Sequence, residues 1–188
     1  MLFIAALLAT CAPSHPSPVV VDQFDGLRCA VVLVGDVDGD GTTDIAMAHR
    51  PRSVSSTIEN KEPWMAIDHQ PWIWILSGKD GSTLHTLEGQ EGFGKELVAL
   101  GDLDADGVQD LGVMGEAGRS VMLISLREGK RIARLPEPKN EKGFATSLAG
   151  GQQLVGDPTP DLVIGSKGHV WVVDGKTQTP AYVLVPLD

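Results

Sequence analysis

Residues 31–48 read VVLVGDVDGDGTTDIAMA and residues 97–114 read LVALGDLDADGVQDLGVM, and the two align position for position without a gap. Each is an apolar run, a loop of the form D-x-D-x-D-G-x-x-D, and a second apolar run. The carboxylates are Asp36, Asp38, Asp40 and Asp44 in the first copy, and Asp102, Asp104, Asp106 and Asp110 in the second. Carboxylates on alternate residues of a tight loop converge on one point. Gly41 or Gly107 permits the sharp turn, the next carbonyl can bind through the backbone, and the last Asp closes the shell. Hard oxygen donors in that number suit Ca²⁺ better than Mg²⁺, which demands strict octahedral geometry, or Zn²⁺, which prefers nitrogen and sulfur. Two calcium sites are therefore expected, with Thr42 and Val108 as the carbonyl donors beside the eight aspartates. Without a cation each loop crowds four like charges together, so a merely solvated acidic loop is the weaker reading.

Outward from these loops the chain repeats. The first unit opens at Phe24-Asp25-Gly26 and continues after its loop into WIWILSGKDGSTLHTL (72–87). The second opens at Phe93-Gly94 and continues into VMLISLREGKRIARL (121–135), and the third opens at Phe144, runs through LVGDPTPDLVIG (154–165) and ends in VWVVDGKTQTPAYVL (170–184). Within each unit the pattern is strand, polar loop, strand, turn, strand, hairpin turn, strand, with turns recurring at Ser77, Ser125 and Val173. Four short strands per unit make a propeller blade, so the expected fold is all-β, three four-stranded blades forming a partial β-propeller. Trp72, Ile73, Trp74 and Ile75 read as a strand buried on both faces. The third unit keeps Asp157 and Asp161 but lacks four intervening positions. Its loop is expected to hold no cation and to be stiffened by Pro158 and Pro160.

Composition agrees. Glycine numbers 22 and proline 12 in 188 residues while aromatics are 5%, a turn-rich usage that favours short strands over long helices. Acidic residues outnumber basic ones 25 to 15, for a net charge of −10, which argues against a nucleic-acid partner. At the N-terminus, Leu2 to Ala9 is an apolar stretch too short to span a bilayer but suited to a signal-peptide core. Leu8-Ala9-Thr10-Cys11 resembles a bacterial lipobox, which would make Cys11 a lipidation site, the only route to a membrane. A Pro/Ser-rich tether follows over 12–22. Cys29 reads as a small buried hydrophobe. The units are then 23–92 with an insertion at 49–70, 93–142, and a degenerate 143–188. The insertion, HRPRSVSSTIENKEPWMAIDHQ, has no strand alternation and is the one long loop, with Trp64 as a candidate anchor for recognition.

An EF-hand needs an acid at position 12 of its loop and helices on either side; here position 12 is Met47 or Val113 and the flanks are strand-like. The phrase Phe93-Gly94, the two D-x-D-x-D-G-x-x-D loops and the Ser77-Gly78-Lys79-Asp80-Gly81 type of turn resemble the FG-GAP repeats of integrin α-subunit propellers and of many bacterial extracellular proteins. The resemblance covers residues 24–188. It departs where Ala48-His49-Arg50-Pro51 and Gly115-Glu116-Ala117 replace the G-A-P segment, and in supplying three blades where the family's propellers have seven. It implies that the cation loops are structural and lie opposite the ligand surface, and that open blade faces need covering, self-association being one means. The expected function is a non-catalytic, calcium-stabilised, secreted or cell-envelope module binding a protein or a glycan. The alternative is a fragment or accessory domain of a larger propeller enzyme, polysaccharide-directed, hydrolytic or quinoprotein-like. No nucleophile or metal spacing involving His15, His49, His69, His85 or His169 supports catalysis.

Overall fold

The computed structural model describes residues 30–49, 71–90, 92–115, 118–139 and 141–185. The signal peptide, Cys11, the tether, Phe24, Cys29 and positions 50–70 of the insertion, with Trp64 and His69, lie outside the described residues.

Twelve strands form three four-stranded antiparallel sheets, each made of strands consecutive in the chain. Blade 1 is β1 (Val31–Leu33), β2 (Ile45–His49), β3 (Trp72–Leu76) and β4 (Thr83–Glu88). Blade 2 is β5 (Leu97–Gly101), β6 (Asp110–Met114), β7 (Ser120–Ser125) and β8 (Lys130–Pro136). Blade 3 is β9 (Ser147–Gln152), β10 (Asp161–Ser166), β11 (His169–Asp174) and β12 (Thr179–Leu184). Strand β5 packs against both β1 and β9, so the first strands of the three blades run side by side. This is the blade arrangement of a propeller, present as an arc of three.

Side chains alternate across each sheet, so two apolar layers form, one on either side of blade 2. The first joins Ala46, Ala48, Ile73 and Ile75 of blade 1 to Leu111, Val113, Ile124 and Leu126 of blade 2. The second joins Met114, Val121 and Leu123 of blade 2 to Leu162, Ile164 and Val173 of blade 3. Ile73 and Ile75 are fully buried, each contributing about 1.5–3 kcal/mol. The two repeat-opening phenylalanines in the described residues are also buried: Phe93 joins the first layer and Phe144 the second. Gly94 adopts φ +74° against Ala48, where a Cβ would approach the Ala48 side chain to 2.8 Å, which is why Gly follows that Phe.

Three expectations need correction. Trp72 and Trp74 are only half-buried, because they face away from blade 2 while Ile73 and Ile75 face it. His49 belongs to β2, paired with Trp72, and not to the insertion. The third hairpin turn starts at Asp174, one residue after Val173: Leu76, Ile124 and Val173 occupy equivalent register positions opposite Ile45, Leu111 and Leu162, which aligns Ser77 and Ser125 with Asp174. Local hydrogen bonds fix these turns. Asp80 accepts from Ser82 N–H, and Asp174 accepts from Lys176 and Thr177 N–H, and these bonds hold both carboxyls below the usual carboxylate range.

Candidate metal centres and the aspartates beneath them

The first loop joins β1 to β2. Its backbone curls around Asp36, whose carboxylate accepts from Gly39 N–H at 2.8 Å, Asp40 N–H at 3.0 Å and Gly41 N–H at 2.8 Å. Asp38 accepts from Asp40 N–H at 3.0 Å and Asp40 accepts from Thr42 N–H at 2.8 Å. The second loop, joining β5 to β6, repeats all of these bonds but the one from Gly39. Asp102 accepts from Asp106 and Gly107 N–H, Asp104 from Asp106 N–H, and Asp106 from Val108 N–H. Gly41 and Gly107 both sit near φ +87°, the left-handed turn the spacing demands. Where loop 1 has Gly39 at φ +80°, loop 2 places Ala105 at φ +63°, a strained choice for a residue with a Cβ.

The result is two triads, Asp36/Asp38/Asp40 and Asp102/Asp104/Asp106, each with one oxygen per residue within 4.8 Å of the others. Lys79 Nζ lies 3.7 Å from Asp40, and Arg127 Nε lies 3.6 Å from Asp106, which also accepts from Ser125 Oγ at 3.2 Å. Sequence reasoning overlooked these cations. Their signal was a basic residue recurring at the same slot of the hairpin turn: Lys79, Arg127 and Lys176.

Asp44 and Asp110, the last aspartates of the two motifs, lie deeper than the triads and are fully buried. Asp44 Oδ2 accepts from Val37 N–H at 2.7 Å, and Oδ1 accepts from Gly78 N–H at 2.9 Å across the sheet. It therefore staples the start of its own loop to the hairpin turn between β3 and β4. Asp161 does the same in blade 3, accepting from Leu154 and Val155 N–H on one oxygen and from Gly175 N–H on the other. In both blades the donor is a glycine packed so tightly that a Cβ would run into the carbonyl of Thr43 or Pro160.

Blade 2 departs from this arrangement. Leu126 stands where Gly78 and Gly175 stand, its side chain fully buried in the layer between blades 1 and 2. Asp110 Oδ2 still accepts from Leu103 N–H at 2.6 Å, but Oδ1 is buried without a hydrogen-bond partner. Burial, opposed by the Leu103 N–H and reinforced by the charges of Asp104, Asp106 and Asp102, pushes the Asp110 carboxyl up to about 7. An orphaned buried oxygen next to three converging carboxylates is the environment a hard divalent cation relieves, and the all-oxygen donor set fits one.

The third loop carries no triad. Asp157 caps Thr159 N–H, and Gln153 donates to the Pro158 carbonyl across a turn that Pro158 and Pro160 stiffen.

Fold and loops together define a blade-repeat protein whose connections between first and second strands are built to gather carboxylates. No family model matches the sequence. It is 31% identical over 167 residues to mouse integrin alpha-X, the match covering 78% of this chain and 13% of that protein. It is 29% identical over 150 residues to human integrin alpha-IIb, covering 73% and 14%, and 28% identical over 159 residues to Drosophila integrin alpha-PS2, covering 72% and 11%. A solved protein of unknown function from Bacteroides caccae aligns with 83% of this chain and 47% of its own, at TM-score 0.41 and 10% identity. The chain is an FG-GAP repeat protein of the integrin α N-terminal-like kind. It spans about an eighth of the length of these curated relatives.

Proposed function

We propose that the protein is an extracytoplasmic FG-GAP module, stabilised by two calcium ions, that binds a protein or glycan partner and does no chemistry itself. The observation that carries this is the duplicated triad. Two loops, alike in spacing, backbone bonds and neighbouring cation, each present three carboxylates over a buried aspartate. Asp36, Asp38 and Asp40 bind the first ion with the Thr42 carbonyl, and Asp102, Asp104 and Asp106 bind the second with the Val108 carbonyl. Asp44 and Asp110 close the shells from beneath. The ions are structural: two divalent cations offset part of the net charge of −10 and release the repulsion within each triad. Extracellular sites of this type have dissociation constants of roughly 10⁻⁴ to 10⁻³ M. At about millimolar calcium, a site near 10⁻⁴ M adds ~1.4 kcal/mol of stability.

Recognition falls to loops away from the cation sites, the insertion among them, and a lipid on Cys11 would tether the module to an envelope membrane. Among the described residues no helix is long and apolar enough to cross one. Thermal melts in EDTA, millimolar calcium and millimolar magnesium test the cation reading. The expected result is a calcium-selective rise in Tm that disappears in the Asp40→Ala, Asp106→Ala double variant; a folded chain indifferent to calcium contradicts it.

A further inference from the structure

The two carboxylate loops lean on the blade that follows their own. Gly35 and Gly101 open them at φ +73° and +80°. A Cβ on Gly35 would meet Gln109 Oε1 of blade 2 at 3.3 Å, and one on Gly101 would meet Pro160 Cγ of blade 3 at 2.7 Å, so each position needs a glycine. Gln109 and Pro160 are equivalent, each directly preceding the buried aspartate of its blade. Two residues beyond the glycines, Val37 packs against the apolar layer between blades 1 and 2, and Leu103 against the layer between blades 2 and 3.

Leu103 is where the second loop and the junction meet. It stands between Asp102 and Asp104 of the triad, and its N–H donates to Asp110 Oδ2 at 2.6 Å. Its side chain lies against Gly175 in the hairpin turn of blade 3, where a Cβ would come within 3.0 Å of Leu103 Cδ2. The Gly175 N–H is itself buried and donates to Asp161 Oδ1 at 3.1 Å. One residue therefore has triad carboxylates on both sides, a bond to the aspartate beneath them and a side chain on the neighbouring blade. That aspartate, Asp110, is fully buried with Oδ1 lacking a partner, which marks this loop as a place for a cation independently of the triad.

We propose that a cation in the second loop braces the junction between blades 2 and 3, and that Leu103 is the residue through which it acts. Fixing Asp102 and Asp104 fixes the backbone between them, and with it the seating of Leu103 on Gly175. The proposal rests on the reading of Asp102, Asp104 and Asp106 as a calcium site, and it says what that ion does for a blade with no triad of its own. Calcium binds the loop with Leu103 seated better than the loop with Leu103 pulled away, so lifting the blade 3 hairpin off blade 2 becomes rarer when the ion is present. An opening that releases the ion is suppressed by the factor 1 + [Ca²⁺]/Kd, about tenfold at millimolar calcium for a Kd near 10⁻⁴ M.

Amide hydrogen exchange on the full chain, in EDTA and in millimolar calcium, tests this in an Asp40→Ala background that leaves the second loop as the site to be filled. Calcium is expected to slow exchange at Gly175 by up to about tenfold, while Gly78, the equivalent amide of blade 1, is unchanged. With Leu103→Ala added, calcium should still slow the loop amides of Asp106 and Gly107 but no longer that of Gly175. Equal slowing of Gly175 and Gly78 overturns the proposal, because the ion would then act on the whole fold. So does a Gly175 response that survives Leu103→Ala. Should that variant fail to melt cooperatively, Leu103→Val, one carbon shorter, is expected to give a reduced response at Gly175, and a full one overturns the proposal. Loop amides that respond while Gly175 does not overturn the brace alone; loop amides indifferent to calcium overturn the calcium reading with it.

Discussion

The loop between β9 and β10 reaches by a shorter path the same end as the loops between β1 and β2 and between β5 and β6. All three finish on an aspartate at most 1% exposed that accepts N–H groups from the start of its own loop. In blades 1 and 3 it also accepts from the hairpin turn across the sheet. Only the first two loops add three converging carboxylates above it. The difference separates two roles that one motif contains. The last aspartate organises the blade whether or not a triad is present, and the triad is an addition that collects charge. In blade 3 both oxygens of Asp161 have donors from the protein, whereas blade 2, with Leu126 in place of the glycine donor, leaves Asp110 half-satisfied.

The largest break in this comparison comes from removing the staple that has no triad. Asp161→Ala takes the carboxylate from the buried Gly175 N–H and from the part-buried Leu154 and Val155 N–H groups, and should cost about 3 kcal/mol in urea unfolding, by the same amount with or without calcium. A loss that calcium repairs would mean that the third loop binds a cation after all.

A smaller effect separates blade 2 from blade 1. The folded Asp110 carboxyl sits at about 7, above its ordinary range near 4, so the folded chain disfavours the ionised form. In EDTA, stability should therefore be fully present below about pH 4 and decline as pH rises through 7. Asp110→Asn should flatten that decline. Melts in EDTA between pH 4 and 8 read the slopes, and equal slopes for parent and Asp110→Asn would contradict the assignment.

The smallest effect lies in the loops themselves. Ala105 holds φ +63° where loop 1 has a glycine, so Ala105→Gly should stabilise the chain by about 1 kcal/mol, less the flexibility that glycine adds to the unfolded state. The urea midpoint checks the sign.

Much of this was legible in the sequence because the repeats are written without gaps where it matters. Three phenylalanine-led units, alternating strands and recurring turns fix twelve strands in three sheets, and the spacing of Asp36, Asp38 and Asp40 alone draws their oxygens together. The division of labour within the motif was not legible. A carboxylate nine positions along a loop can meet a cation, a backbone amide or both, and only the fold shows that Asp44 reaches Gly78, 34 residues away. Asp161 read as the remnant of a lost site, when it is the most fully bonded of the three. The contrast of Gly78 and Gly175 with Leu126 was visible in the aligned repeats. Its meaning required knowing that the residue's N–H points at the buried aspartate. The one-residue slip at Val173 has a similar origin, since an apolar strand running into a hairpin gives no sharp boundary until its partner fixes the register.

The most direct measurement is a count of calcium bound per chain by equilibrium dialysis at millimolar calcium, on the parent and on Asp40→Ala and Asp106→Ala separately. Two ions for the parent and one for each variant are expected, with loop 3 contributing none. No bound calcium on a folded chain, or an unchanged count in either variant, would contradict the assignment of the two triads as the cation sites of this fold.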